Sequence, residues 1–182
     1  MELSLFLAGV GGQGMQSVGK SLIKSADAAG FEITYSPLYT FEKRGGLSSC
    51  YVNIGTEPIG SPRKETFDIV VAMDNNTAAQ FGPLTKHGGT LVLNTTLVTQ
   101  KPELPADIKV VEEPFLDKAI SLGSDKVISS VVLGFLAAYT KIIPDLEQVK
   151  DTGMAALKKK PALWDLNVLA FDLGAMLGEQ AR

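Results

Sequence analysis

Two short segments carry the residue types from which chemistry could be built. The first is Gly9-Val10-Gly11-Gly12-Gln13-Gly14, which follows an apolar run at residues 3–7 and precedes a helix-like stretch. Strand, glycine turn and helix in that order bring backbone amides against an anion or against another backbone. The second is Glu42-Lys43-Arg44-Gly45-Gly46, three charges running into a glycine pair ahead of a strand. An arginine beside glycines can offer its planar fork to a carboxylate or phosphate at close approach, whereas Lys43 reads as solvated. Tyr35 and Tyr39 flank this loop, as interface aromatics or as the edge of a core.

The glycine turn has a bland reading as well, a tight bend in which glycines only permit close packing. Its spacing Gly9-x-Gly11-x-x-Gly14 fits a dinucleotide fingerprint, but that fingerprint also needs an acid at the end of the second strand. That strand ends near Tyr35-Ser36-Pro37, and Glu32 lies at its start, so a nicotinamide enzyme is disfavoured. Gly14 is followed by Met15-Gln16-Ser17 rather than Lys-Ser/Thr, which removes a P-loop. Gln13 has donors and an acceptor to satisfy, and a contact to a ligand or partner backbone is the favoured reading. Close approach to the turn is expected at Gly12.

No nucleophile constellation appears. Cys50 falls inside a strand with no histidine nearby in sequence and reads as a buried structural thiol. His87 precedes Gly88-Gly89 in a turn and reads as exposed, and Asp74 can cap a helix. No residue is assigned a catalytic role, and none a metal. One cysteine and one histidine cannot build an iron–sulfur or typical zinc site within one chain.

Composition narrows the class further. The 182 residues suit one domain, with a body at 1–143 and a helical tail at 144–182. A 45% hydrophobic and 20% charged composition is ordinary for a globular protein, and a net charge of −3 without a basic stripe speaks against nucleic acid. Residues 1–8 lack the basic start of a secretory leader, and no apolar stretch reaches the ~20 residues of a membrane span. A single cysteine fits a cytoplasmic location without membrane association.

The elements that must position these segments alternate. Strands are expected near 3–8, 31–35, 47–54, 67–73, 90–94 and 108–112, with helices near 16–29, 76–82, 114–121 and 124–139. Residues 36–46 read as loop, Gly88-Gly89 as a turn, and the tail as helices near 144–158 and 161–178. The fold class is α/β: a Rossmann-like open, mostly parallel sheet with helices on both faces and a C-terminal helical tail. The strand at 47–54 follows its predecessor through a loop, so one edge is expected to be antiparallel. The glycine turn, the 36–46 loop and Asp74 should gather at the carboxyl ends of the strands, where such sheets bind ligands.

The glycine turn with Arg44-Gly45-Gly46 resembles the gamma subunit of 2-oxoacid:ferredoxin oxidoreductases, enzymes for pyruvate, 2-oxoglutarate, branched-chain 2-oxoacids and indolepyruvate. The likeness extends through Asp68-Ile69-Val70-Val71-Ala72-Met73-Asp74, Gly88-Gly89-Thr90-Leu91-Val92-Leu93-Asn94 and Val131-Val132-Leu133-Gly134, nearly the whole chain, at the length of a free gamma subunit. It implies oxidative decarboxylation of a 2-oxoacid to acyl-coenzyme A and CO2 with reduction of ferredoxin. Thiamine diphosphate, Mg2+ and [4Fe-4S] clusters are then expected in partner alpha, beta and ferredoxin-like delta subunits, with coenzyme A as co-substrate and ferredoxin as an indirect partner. This chain has no Gly-Asp-Gly with a following Asn pair and is expected to bind none of these cofactors alone, and to be inactive in isolation. Gly9, Gly11, Gly12, Gln13, Gly14 and Arg44 are assigned by the resemblance to a rim of the active site or coenzyme A channel. Thr40-Phe41 stands where many relatives carry Gly-Pro, a departure next to Glu42 and Arg44. The competing reading is a stand-alone Rossmann-type module for a nucleotide or other small molecule.

Overall fold

A computed structural model describes residues 1–39, 46–159 and 161–182. Arg44, Glu42, Lys43 and Gly45 lie outside the described residues. Among the described residues six strands form one sheet in the order β2-β3-β1-β4-β5-β6. β1 (Glu2–Val10) runs parallel to β4 (Phe67–Ala72), which is followed in parallel by β5 (Thr85–Asn94) and β6 (Lys109–Glu113). β3 (Leu47–Gly55) is antiparallel to β1 on one side and to β2 (Glu32–Tyr39) on the other. The expected antiparallel side is present, and β3 lies inside it, between β1 and the edge strand β2.

Alternation along β1 splits the core in two. Leu5 and Leu7 face a large cluster with Val18, Leu22, Val131 and Phe135, whereas Phe6 and Ala8 face a smaller one with Phe67 and Phe81. The first face is covered by α1 (Met15–Ala28), α3 (Phe115–Ser121), α4 (Ile128–Thr140), α5 (Leu146–Gly153) and α6 (Pro161–Ala181). Among the described residues, the second face has one helix, α2 (Asn75–Phe81), and an aromatic cluster in which the Phe6 ring lies 4.8 Å from Phe81 and 5.0 Å from Tyr51.

Two expectations change in detail. β2 continues through residues read as loop, to Tyr39. The Gly88-Gly89 pair is not a turn before a strand but an irregularity inside β5: Phe67 pairs with Thr85 and Ile69 with Thr90. Gly88 takes φ 72°, and a side chain at Gly89 would lie 2.8 Å from the Asp68 and Lys86 carbonyl oxygens, so only glycine fits the bulge.

The C-terminal helix is integral to the body. Added Cβ atoms at Gly134 of α4 and at Gly174 and Gly178 of α6 would overlap the facing backbone carbonyls of Phe171, Val131 and Phe135. These contacts put α4 and α6 side by side in the same direction at near backbone contact. Ser130 Oγ donates a 2.6 Å hydrogen bond to Asn167 Oδ1 within the same interface.

Candidate anion-binding cleft at two helix N-termini

The chain leaves β1 through a turn whose residues have separable duties. Gln13 N–H donates to the Val10 carbonyl (3.1 Å), and Val10 N–H donates back to Gln13 Oε1 (2.7 Å). The Gln13 oxygen is therefore engaged inside the turn, leaving its amino group for any outside acceptor. Gly9 makes room for this arrangement, since a Cβ there would sit 2.5 Å from Gln13 Oε1. Gly14 takes φ 76° as the N-cap of α1, and its own Cβ would lie 2.8 Å from the Ser129 Cβ. The close approach expected at Gly12 thus falls at Gly14.

Gly11 and Gly12 are the exposed pair. Gly11 N–H donates to the Gly46 carbonyl (3.0 Å), which ties the turn to the entry of β3. Gly12 takes φ 100°, with nothing within 4 Å of its Cβ position. Its glycine requirement is conformational, and the space above it is open.

That space is the edge of a cleft of about 380 Å³. Gly12, Gly14, Gln16 and Ser17 contribute from the turn and the first turn of α1, and Ser48 from the start of β3. Lys126, Ile128 and Ser129 contribute from the opposite wall, at the start of α4. A 3-10 turn at Asp125–Val127 leads into α4, and Lys126 N–H there donates to Ser124 Oγ at 3.2 Å. Two helices of 14 and 13 residues therefore begin at one cleft, with an exposed lysine and several hydroxyls between them. Helix N-termini carry unsatisfied N–H groups and partial positive charge, so the chemistry on offer is recognition of a phosphate-bearing anion.

The other singled-out residues have structural duties. Thr77 N–H donates to Asp74 Oδ1 (3.0 Å) and Asp74 N–H to Thr77 Oγ1 (3.1 Å), a reciprocal cap on α2. His87 is exposed, with Nδ1 3.0 Å from Asp107 Oδ2. Cys50 is fully buried, its thiol donating weakly to the Met15 carbonyl at 3.6 Å, and burial pushes its pKa up to about 12 against smaller opposing effects of Tyr35 and Lys20. A thiol held protonated is neither a nucleophile nor a cluster ligand, so the chain's single cysteine does not fit an iron–sulfur group. Among the described residues no three His, Cys, Asp or Glu side chains group to hold a metal ion, and no helix is long and apolar enough to cross a membrane.

The glycine turn is legible in the sequence, whereas its opposite wall is not. Lys126, Ser129 and Ser48 are distant in sequence from residue 12 and meet it only through the β1–β3 pairing and the α1–α4 packing. A serine pair opening the long apolar helix, Ser129-Ser130, was the one available signal.

The family profile described as pyruvate ferredoxin/flavodoxin oxidoreductase matches residues 4–177. The chain is 30% identical over 175 residues to a ketoisovalerate oxidoreductase subunit of Methanothermobacter marburgensis, covering 96% of this chain but 36% of that protein. It thus spans about a third of the length of the ketoisovalerate subunits it matches. It is 25% identical to an indolepyruvate oxidoreductase subunit of Pyrococcus horikoshii, covering 98% of this chain and 97% of that one. The fold matches the gamma subunit of a keto/oxoacid ferredoxin oxidoreductase from Geobacter sulfurreducens with a TM-score of 0.85 at 23% identity, over 100% of this chain and 98% of that one. It also matches 32% of a 2-oxoglutarate:ferredoxin oxidoreductase chain from Magnetococcus marinus, solved with 2-oxoglutarate, coenzyme A and succinyl-CoA, covering all of this chain with a TM-score of 0.86 at 23% identity.

Proposed function

The chain belongs to the pyruvate ferredoxin/flavodoxin oxidoreductase family, and from that membership we propose that it is the gamma subunit of a thiamine diphosphate-dependent 2-oxoacid:ferredoxin oxidoreductase. In this reading it is one gamma domain, residues 1–182, in a cytoplasmic complex. The partner alpha, beta and delta subunits hold thiamine diphosphate, Mg2+ and [4Fe-4S] clusters, and the isolated chain is inactive. Thiamine supplies the electron sink for decarboxylation when bound in the partner. This chain contributes no step of that chemistry.

Its contribution is a wall for coenzyme A, whose diphosphate and 3′-phosphate are the anions the cleft suits. The observation that carries this reading is the convergence of the α1 and α4 N-termini on Gly12, with Lys126 and Ser129 opposite the turn. The amides that open α1, the exposed Gly12 and the Lys126 ammonium would bind and orient phosphate oxygens. Gly9, Gly11 and Gln13 serve by shaping the turn and tying it to β3, Gly12 and Gly14 by lining the cleft, and Arg44 is assigned to the same rim from its sequence alone.

A dinucleotide dehydrogenase reading is weakened by the sheet order. Its ribose-binding acid would stand at the end of the strand beside β1, but β3 occupies that place and runs the other way. Anaerobic co-purification on the tagged chain, with mass spectrometry of what accompanies it, tests the subunit reading. A thiamine-binding chain and a cysteine-rich chain in fixed ratio are expected. Recovery of the chain alone would replace this reading with a stand-alone binding module.

A further inference from the structure

The outer face of α6 combines two patterns that ordinary solvent-facing helices keep apart. Leu166, Leu169, Leu173 and Met176 follow one another at spacings of three, four and three residues, the a/d seam of a helix that meets another helix. Leu169 and Met176 are 56% and 49% exposed, and Leu166 and Leu173 are partly buried, joining the seam to the core. Single exposed leucines are normal on protein surfaces, but a continuous seam is not.

The charges that α6 itself carries have one sign, while Lys150 and Lys158 of the preceding segments lie against Phe171 and Trp164 on its flank. Asp165, Asp172 and Glu179 recur every seven residues along the seam's border, all exposed, and α6 from Pro161 to Ala181 contains no lysine or arginine. Asp172 already takes an ion pair from Lys150 at 2.8 Å. Asp165 and Glu179 lie at either end. A second copy of this helix docked on the seam would bring acidic borders together, which is repulsive.

Resting on the subunit reading above, we propose that the α6 seam docks an amphipathic helix of a partner subunit whose apolar stripe is bordered by lysine or arginine. The seam from Leu166 to Met176 is about 15 Å long at ~1.5 Å per residue, room for nearly three turns of such a helix. The two faces of α6 thus do different work: glycines pin one to α4, and leucines offer the other.

The test is co-expression of the full chain with the other subunits, purified anaerobically through a tag on this chain. Two variants are compared with wild type: Leu169→Glu/Met176→Glu, and the milder Asp165→Lys/Glu179→Lys, with circular dichroism confirming folded protein. Both are expected to lower recovered partner at least tenfold. Full recovery with either folded variant would overturn the proposal, as would loss of a homodimer with the hetero-complex intact. A wild-type chain that brings no partner would remove the subunit reading and the docking helix together.

Discussion

Gly14 and Ser129 meet at the base of the cleft, where a Cβ on Gly14 would lie 2.8 Å from the Ser129 Cβ. The contact locks the N-terminus of α1 against that of α4, and so fixes the spacing of the two walls of the cleft. Gly14 also holds φ 76°, so it carries a steric and a conformational requirement at once.

These two requirements separate by substitution. Gly14→Ala should cost about 1–2 kcal/mol for left-handed backbone, plus the clash with Ser129. Gly12→Ala meets no neighbour and should cost only the backbone share. Adding Ser129→Gly to Gly14→Ala should recover the clash and leave the strain. Denaturant midpoints of the three variants check this, and equal losses at Gly12 and Gly14 would contradict it.

The α4–α6 junction should be far less tolerant. A methyl at Gly174 would overlap the Val131 carbonyl, which belongs to helix backbone and cannot step aside. Gly174→Ala is expected to destabilise by about 3 kcal/mol or more, as over-packing against a rigid neighbour does. Thermal unfolding reads the loss, and a wild-type midpoint would show that the helices stand further apart.

Cys50 should resist alkylation. With its pKa pushed up to about 12 by burial, the native thiol is expected to ignore iodoacetamide at pH 8 and to react once the chain unfolds. The same shift sets a pH dependence. The folded thiol keeps its proton where the unfolded one, near 9.0, has lost it, so stability is full below about pH 9 and declines as pH rises towards 12. Rapid labelling of folded protein would refute the burial.

Asp68 shifts the other way. Burial raises its carboxyl, but the Ser4 hydroxyl and amide and the Lys86 ammonium overcome this and hold it below the usual carboxylate range. Its stabilisation is present above the unfolded value and lost as pH falls through the native one. Asp68→Asn should therefore flatten the acid side of the stability profile, a modest effect because the ion pair is partly solvated.

Much of this architecture was legible because local rules agreed with the fold. The apolar run at 67–73 became a covered central strand, and the Asp74 cap and the Gly30 stop sit where their chemistry requires. Gly88-Gly89 misled because a bulge and a turn both demand glycine, and only the pairing of Phe67 with Thr85 distinguishes them. Sequence cannot show that Val10 N–H takes the Gln13 oxygen, which leaves only its amino group for the ligand or partner-backbone contact expected of it. The glycines of α4 and α6 passed unnoticed, since close helix approach leaves no mark until both helices are placed. The site was half visible for the same reason: a turn is local, whereas a cleft between Gly12 and Lys126 is a product of packing.

The most direct test measures 2-oxoacid-dependent viologen reduction by the anaerobically purified complex, titrated with coenzyme A, for wild type and Lys126→Glu. The reaction is expected to require both a 2-oxoacid and coenzyme A. The variant should assemble normally and keep kcat while its KM for coenzyme A rises about tenfold, the signature of binding lost equally in the ground and transition states. An unchanged KM for coenzyme A in the assembled variant would contradict the assignment of the cleft.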